Sequence, residues 1–354
     1  MSSETISAPA ARPAPVVRRD FWRGMLWLTW RQHRWQILIA TVVSAAMLIW
    51  MVVNASEIQS ALDLCTGPDC SKAITDERAS RLSHAAVYAG YQLNTVVFLP
   101  VLLGLFLGVP VLAREYEQRT LMLAWSQDIS PLRWLLGKLT ILGVIVAALA
   151  TALAGEAEHV AGLAHLADRT SLFDGALFQA GGWLPLTLAL AWMMFGVAAG
   201  AVLRRTLPAL AVVLGAFIGR TVLMVQLRPH FMTPLTSTRS LEAGRHVVTA
   251  GDPLQPVPND LLLDGGNGPF LDTAGHTHAY KEVMSQWCGS IPDGKDNAFV
   301  ACLKQHDLVG IQQSYQPASR LGTFHLIENG FNLTMLVASL VVTWWIVRKG
   351  RTTM

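Results

Sequence analysis

The stretch AREYEQRTLMLAWSQDISPLRWLLGK, Ala113 to Lys138, decides how this chain is read. It carries Arg114, Glu115, Glu117, Arg119, Arg133 and Lys138 between two apolar runs. A chain that only turns back into a membrane does so in a few residues. A charged, helical excursion of this length is the kind of connection that carries function. It offers a surface on which something else can push.

The composition around it excludes an ordinary soluble fold. Of 354 residues, 52% are hydrophobic and only 14% charged, where soluble domains carry about 25% charged residues. Net charge is +3, too small to point to nucleic acid. Six stretches have the roughly 20 mainly apolar residues that a membrane helix needs. They are Ile37–Val53, Thr95–Ala113, Leu135–Ala154, Trp183–Leu203, Leu207–Leu227 and Gly330–Val347. The reading is an all-α integral membrane protein with six transmembrane helices.

Basic residues orient the bundle. With both termini inside, the inner segments hold about 15 Lys and Arg in about 70 residues, and the outer ones about 11 in about 170, as the positive-inside rule asks. Arg204, Arg205, Arg348, Lys349 and Arg351 are the clearest markers. Cys65, Cys70, Cys288 and Cys302 then lie outside, where disulfides persist. Four cysteines allow three connectivities, and pairing within each loop is the simplest. A zinc site fits the spacings poorly.

The expected organisation has five parts. Residues 1–17 form a disordered tail rich in Ala, Pro and Ser. Arg18 and Arg19 only faintly resemble a twin-arginine signal, and no cleaved signal follows. Residues 18–36 form an amphipathic interfacial helix with tryptophans and arginines, mainly an anchor. Residues 37–227 hold helices one to five, with the charged excursion at 114–134. Residues 228–327 form a long external region, a subdomain of short helices pinned by Cys288–Cys302. Residues 328–354 are the last helix and a basic tail.

Within the spans, Pro100 and Pro110 should bend the second helix. Gly104-x-x-x-Gly108 and Gly196-x-x-x-Gly200 permit close helix approach, by packing within the chain or at a dimer seam. Arg204-Arg205-Thr206-Leu207-Pro208 reads as a tight inner turn, with Pro208 in a helix's first turn.

Catalytic chemistry has thin support. Gly289-Ser-Ile-Pro-Asp-Gly294-Lys295-Asp296 nearly matches a phosphate-binding loop, but Asp296 replaces the Ser or Thr that holds magnesium. No HExxH or GxSxG occurs, so no catalytic residue is assigned. His276 and His278 with Asp252, Asp260 and Asp264 read as an exposed polar loop rather than a metal site. Glu156, Glu158 and His159 read as a solvated helix end. Arg220 stands apart, because a charge at its depth is costly and normally paired. Glu328, at the outer entry of the last span, lies roughly 9 Å away in depth at 1.5 Å per residue. Two outcomes stay open: Arg220 snorkels outward, or it pairs with Glu328.

Several segments together carry a family resemblance: MLWLTWRQHRWQ (Met25–Gln36), GVPVLAREYEQRT (Gly108–Thr120), SPLRWLLGKL (Ser130–Leu139), GVAAGAVLRRTLPAL (Gly196–Leu210), LRPHFMTP (Leu227–Pro234), YQPASR, and His325 to Glu328. In this order, interleaved with six spans, they resemble the permease subunit of ABC-2 type ABC transporters in the actinobacterial style. The likeness runs over nearly the whole chain and is weakest between Thr236 and Tyr315. The resemblance implies that a separate ABC ATPase subunit binds Mg-ATP, with no cofactor in this chain. It implies pairing with a second permease copy and export of a drug, antibiotic, lipid or peptide through a bacterial plasma membrane. It assigns ATPase coupling to the excursion, and Arg114, Glu115, Glu117, Arg119, Ser130 and Arg133 are the contacts chosen there. Alternative functions are an extracellular-ligand sensor or immunity protein, and a membrane-embedded enzyme. Membrane lipid is a partner in every reading.

Overall fold

The computed structural model describes residues 18–63, 72–118, 130–168, 171–173, 175–240, 260–263, 267–288 and 296–349. Cys65, Cys70, Arg119, Asp252, Asp264 and nearly all of the 289–296 segment lie outside them. Within the membrane-spanning part the elements are α1 (Arg18–Asp63), α2 (Lys72–Leu103), a π-helical turn (Gly104–Gly108), a 3-10 turn (Val109–Val111), α3 (Ala113–Glu117), α4 (Pro131–Asp168), α5 (Gly175–Ala180), α6 (Leu184–Leu203) and α7 (Thr206–Leu227). After a sheet-bearing region comes α10 (Leu321–Lys349). Six helices are long and apolar enough to cross a membrane: Trp22–Asp63, Ser80–Glu117, Pro131–Leu166, Leu184–Leu203, Thr206–His230 and Ala318–Lys349. Six crossings return the chain to the side on which it began. That side is the termini end, and the other is the sheet end.

Residues 18–36, expected as a separate interfacial helix, are the first part of α1. No Pro or Gly stands near the Gln36–Ile37 junction, so the backbone has no reason to break there. At 46 residues and 1.5 Å per residue, α1 is about 69 Å long, roughly twice a bilayer's hydrocarbon core. Together with the long α2 and α4 it extends the bundle toward the sheet end. Met51, Ile58, Ala89, Leu93, Leu153, Ala157 and Val160 fill that extension. Asn54 and Gln92 are buried in it, with Asn54 Nδ2 donating to Gln92 Oε1 at 3.1 Å and Gln92 Nε2 donating to the Trp50 carbonyl at 3.0 Å. Glu156 and His159 lie within α4 rather than at its end, 3.4 Å apart, and Glu158 is exposed.

The centre of the bundle is a close crossing of the π-turn on α6. Both small-residue motifs take part, and they face each other. A Cβ added at Gly196 would lie 2.3 Å from the Gly104 carbonyl oxygen, and one at Gly108 would lie 2.3 Å from that of Met193. Only hydrogen fits on either side, so this spacing serves packing inside the chain. The π and 3-10 turns fall at Gly104–Val111, beside Pro110, whose missing N–H already interrupts the helical ladder.

The region between α7 and α10, expected as a subdomain with short helices, also holds a sheet. Its elements are β1 (Leu235–Ser240), β2 (Leu261–Leu262), β3 (Phe270–Asp272), β4 (Thr277–His278), the helical turn α8 (Tyr280–Glu282), α9 (Asp296–Gln305) and β5 (Leu308–Gln316). The order is β1-β5-β3-β4, all antiparallel, and β2 pairs with the far end of β5 on the edge that β3 also uses. Phe270, Val283, Leu303, Leu308 and Ile311 form its core, beside the Cys288–Cys302 disulfide. Buried Gln316 fastens the sheet to the bundle: its Nε2 donates to the carbonyls of Met232 at 2.6 Å and Pro229 at 3.2 Å. Asp260 accepts the Ala318 N–H at 2.8 Å, between the sheet and α10.

Candidate functional site

Among the described residues, two buried ion-pair clusters occupy the bundle, one at each end. At the termini end the centre is α3, five residues long and inserted among longer helices. Its charges alternate in direction, because neighbours on a helix point about 100° apart. Arg114 is exposed. Glu115 turns inward, is 8% exposed, and accepts a hydrogen bond from Lys138 Nζ at 3.0 Å. Lys138, on α4, is 1% exposed and lies 4.6 Å from the centre of the Trp134 ring. Buried His33 of α1 belongs to the same neighbourhood, with its Nδ1 2.6 Å from Gln36 Oε1. Glu115 was expected to face the partner. In the structure it neutralises a buried lysine instead, because an ammonium out of water needs a carboxylate.

Glu117 points toward the turn between α6 and α7. The N–H of Thr206 donates to its Oε1 at 2.8 Å, and the Thr206 hydroxyl donates to its Oε2 at 2.7 Å. Thr206 opens α7, so a carboxylate sits where helix N–H groups lack partners and the helix dipole favours negative charge. The preceding Arg204 adopts a left-handed conformation, φ 53°, that ends α6, and its guanidinium lies 5.2 Å from the Tyr116 ring. Thus α3 is tied to α4 through Glu115 and to the α6–α7 turn through Tyr116 and Glu117. Ser130 Oγ accepts the N–H of Arg133 at 3.4 Å, at the start of α4, and Arg133 is exposed.

At the sheet end the centre is Glu328 on α10, 1% exposed. Arg220 of α7 donates to its Oε1 at 3.0 Å, and Arg228, just after α7, donates to its Oε2 at 3.1 Å. Arg220 also donates to Asn332 Oδ1 at 2.9 Å, and Asn332 Nδ2 donates to the hydroxyl of Thr187 on α6 at 3.0 Å. The Arg228 guanidinium carbon stands 4.0 Å from the Phe178 ring centre, and His325 Nε2 is 3.1 Å from the Phe178 carbonyl. Phe173, Phe178, Leu184 and Phe324 enclose this end. Sequence reasoning paired Arg220 with Glu328 but missed Arg228, which sits at a span end, where an arginine normally reaches water.

In the sheet region, His276 and His278 meet Asp272 rather than Asp260. Asp272 Oδ2 is 3.2 Å from His276 Nδ1 and 3.3 Å from His278 Nε2. Its Oδ1 accepts the N–H groups of His276 and Ala274. The His276 N–H foremost, then the two rings and the Ala274 N–H, hold the Asp272 carboxyl down to about 2.

Six helices long and apolar enough to cross a membrane define a multi-pass membrane protein. The chain belongs to the ABC-2 membrane transporter related family, whose model matches residues 38–228, more than half of its length. The matched part runs from within α1 to the end of α7 and includes α3. No curated protein matches the chain.

Proposed function

We propose that this chain is the membrane-spanning permease of an ATP-driven exporter in a bacterial plasma membrane. It moves a hydrophobic or amphipathic solute, while a separate ATPase subunit binds Mg-ATP and hydrolyses it. The termini end is cytoplasmic and receives that subunit, and a second permease copy completes the transporter. The observation that carries this reading is the wiring of α3. A segment able to transmit a push needs an exposed side and rigid links to helices that move. Arg114, Gln118 and Arg133 supply exposed positions, and Glu115–Lys138 and Glu117–Thr206 supply the links. A docked ATPase biases the helices only through contacts that differ between its states. In this arrangement Arg114 and Arg133 are the docking charges, and Glu115 and Glu117 are positioning residues.

The test is co-expression with an ABC ATPase subunit and purification of the complex into proteoliposomes. ATP hydrolysis should depend on this chain, and Arg133→Glu should lower it by about tenfold, the loss of about 1.4 kcal/mol of coupling, with unchanged thermal unfolding. Hydrolysis that is indifferent to the chain and to Arg133 would overturn the reading.

A further inference from the structure

The sheet-end cluster carries one more positive charge than it needs for its own neutrality. Two guanidiniums, Arg220 and Arg228, bond to a single carboxylate, Glu328. Arg220 also donates to a neutral amide, Asn332. Arg228 is 7% exposed, and its Nε is buried with no hydrogen-bond partner. An unpaired donor on a cation in such surroundings is costly. It becomes favourable when an anion is present to accept it.

The cluster also stands near the level of a lipid headgroup and beside exposed apolar side chains. From Thr206 to Arg228, α7 rises about 33 Å at 1.5 Å per residue, close to the thickness of a bilayer's hydrocarbon core. If Thr206 lies at one membrane surface, Arg228 lies at the headgroup level of the other. Arg220 is about 12 Å deeper along the same helix. α7 and α10 each pack along α6 and scarcely approach one another, so the arginine side chains bridge a seam between them. Leu223 and Leu227 on one side and Phe331 on the other are exposed beside that seam.

We propose that Arg220 and Arg228 form an anion site at the α7–α10 seam. It takes the phosphate or carboxylate headgroup of an amphipathic molecule, whose apolar chain lies along the exposed faces of the two helices. Glu328 occupies the site when it is empty and sets its affinity. The site deepens the transporter reading by giving the solute an anionic head, and it rests on that reading only for the claim that such a molecule is cargo.

The experiment is native mass spectrometry of the full chain with dioleoylphosphatidylglycerol, dioleoylphosphatidylcholine and inorganic phosphate as probes. It uses no ATP and no ATPase subunit, so its outcome is separate from that of the coupling assay. The anionic lipid should be retained at about tenfold lower concentration than the zwitterionic one. Arg228→Gln and Arg220→Gln should each reduce that preference. Glu328→Gln should raise anionic-lipid retention, a gain that misfolding does not produce. Displacement of the lipid by millimolar phosphate would support the anion site with a free anion as its source. Resistance to phosphate would support the site with a lipid-borne headgroup. Equal retention of the two lipids, or a preference unchanged in both arginine variants, would overturn the proposal.

Discussion

Glu115–Lys138 at the termini end and Arg220–Glu328–Arg228 at the sheet end are both buried, hydrogen-bonded and held between helices. They differ in how their cations are held. The first pairs one carboxylate with one ammonium, backed by the Trp134 ring. The second sets two guanidiniums on one carboxylate and leaves an arginine nitrogen unpaired. They also differ in what they join. Glu115–Lys138 fixes a five-residue helix to a long one, whereas the Glu328 cluster bridges α7 and α10 across a seam. A lysine bonded to a carboxylate inside packed helices suits a joint that carries force. An unbalanced cluster across a seam suits a place where something charged arrives.

The sharpest way to break this contrast is to remove Glu328. Glu328→Ala leaves two buried guanidiniums together and should cost about 3–5 kcal/mol, the usual result of breaking a buried pair. Arg220→Gln leaves a one-to-one pair with Arg228 and should cost less, about 1.5–3 kcal/mol for a hydrogen bond to a charged group. Thermal unfolding in detergent orders the two. Equal losses would mean that the second arginine adds no excess charge.

The next largest effect is expected at the other end. Glu115→Ala strands Lys138 in the bundle and should approach the same 3–5 kcal/mol range. Exchanging both partners for apolar residues, Glu115→Leu with Lys138→Met, should recover much of that loss. The double variant should still lower ATPase coupling, because α3 loses its charged link to α4. If coupling survives in a stable double variant, Glu115–Lys138 is only structural.

The smallest effect belongs to the external region. The Asp272 carboxyl sits at about 2 instead of the usual 3.8. A depressed carboxyl stabilises the fold above its unfolded value and loses that contribution as pH falls through its folded value. Local stability should therefore hold above pH 3.8 and decline from there toward pH 2. Trp287 reports it, since its ring lies 5.1 Å from that of His278. Asp272→Asn should flatten the decline, while the two clusters in the bundle remain unaffected.

Much of this arrangement was legible in the sequence, and the gaps have physical causes. Apolar runs of membrane length mark six helices because lipid leaves few alternatives for the backbone. Arg220 and Glu328 stood out because charges at that depth are rare and need partners. The glycine motifs announced close packing, but spacing alone does not say whether the facing helix is in the same chain. Glu115 and Lys138 both lie in the 113–138 stretch, yet charge suggested exposure where the fold demands burial. β1 and β5 were hidden because LTSTRS and LVGIQQSYQ are largely polar and lack strong alternation. Pairing within the sheet gives them strand character.

The central claim is that the face around α3 receives the ATPase. A photoreactive residue placed at exposed Gln118 and, separately, at exposed Ala274 of the external region tests it in the assembled complex. The account predicts that irradiation captures the ATPase subunit from position 118 and not from position 274. Capture from 274, or none from 118 in a complex that hydrolyses ATP, would contradict it.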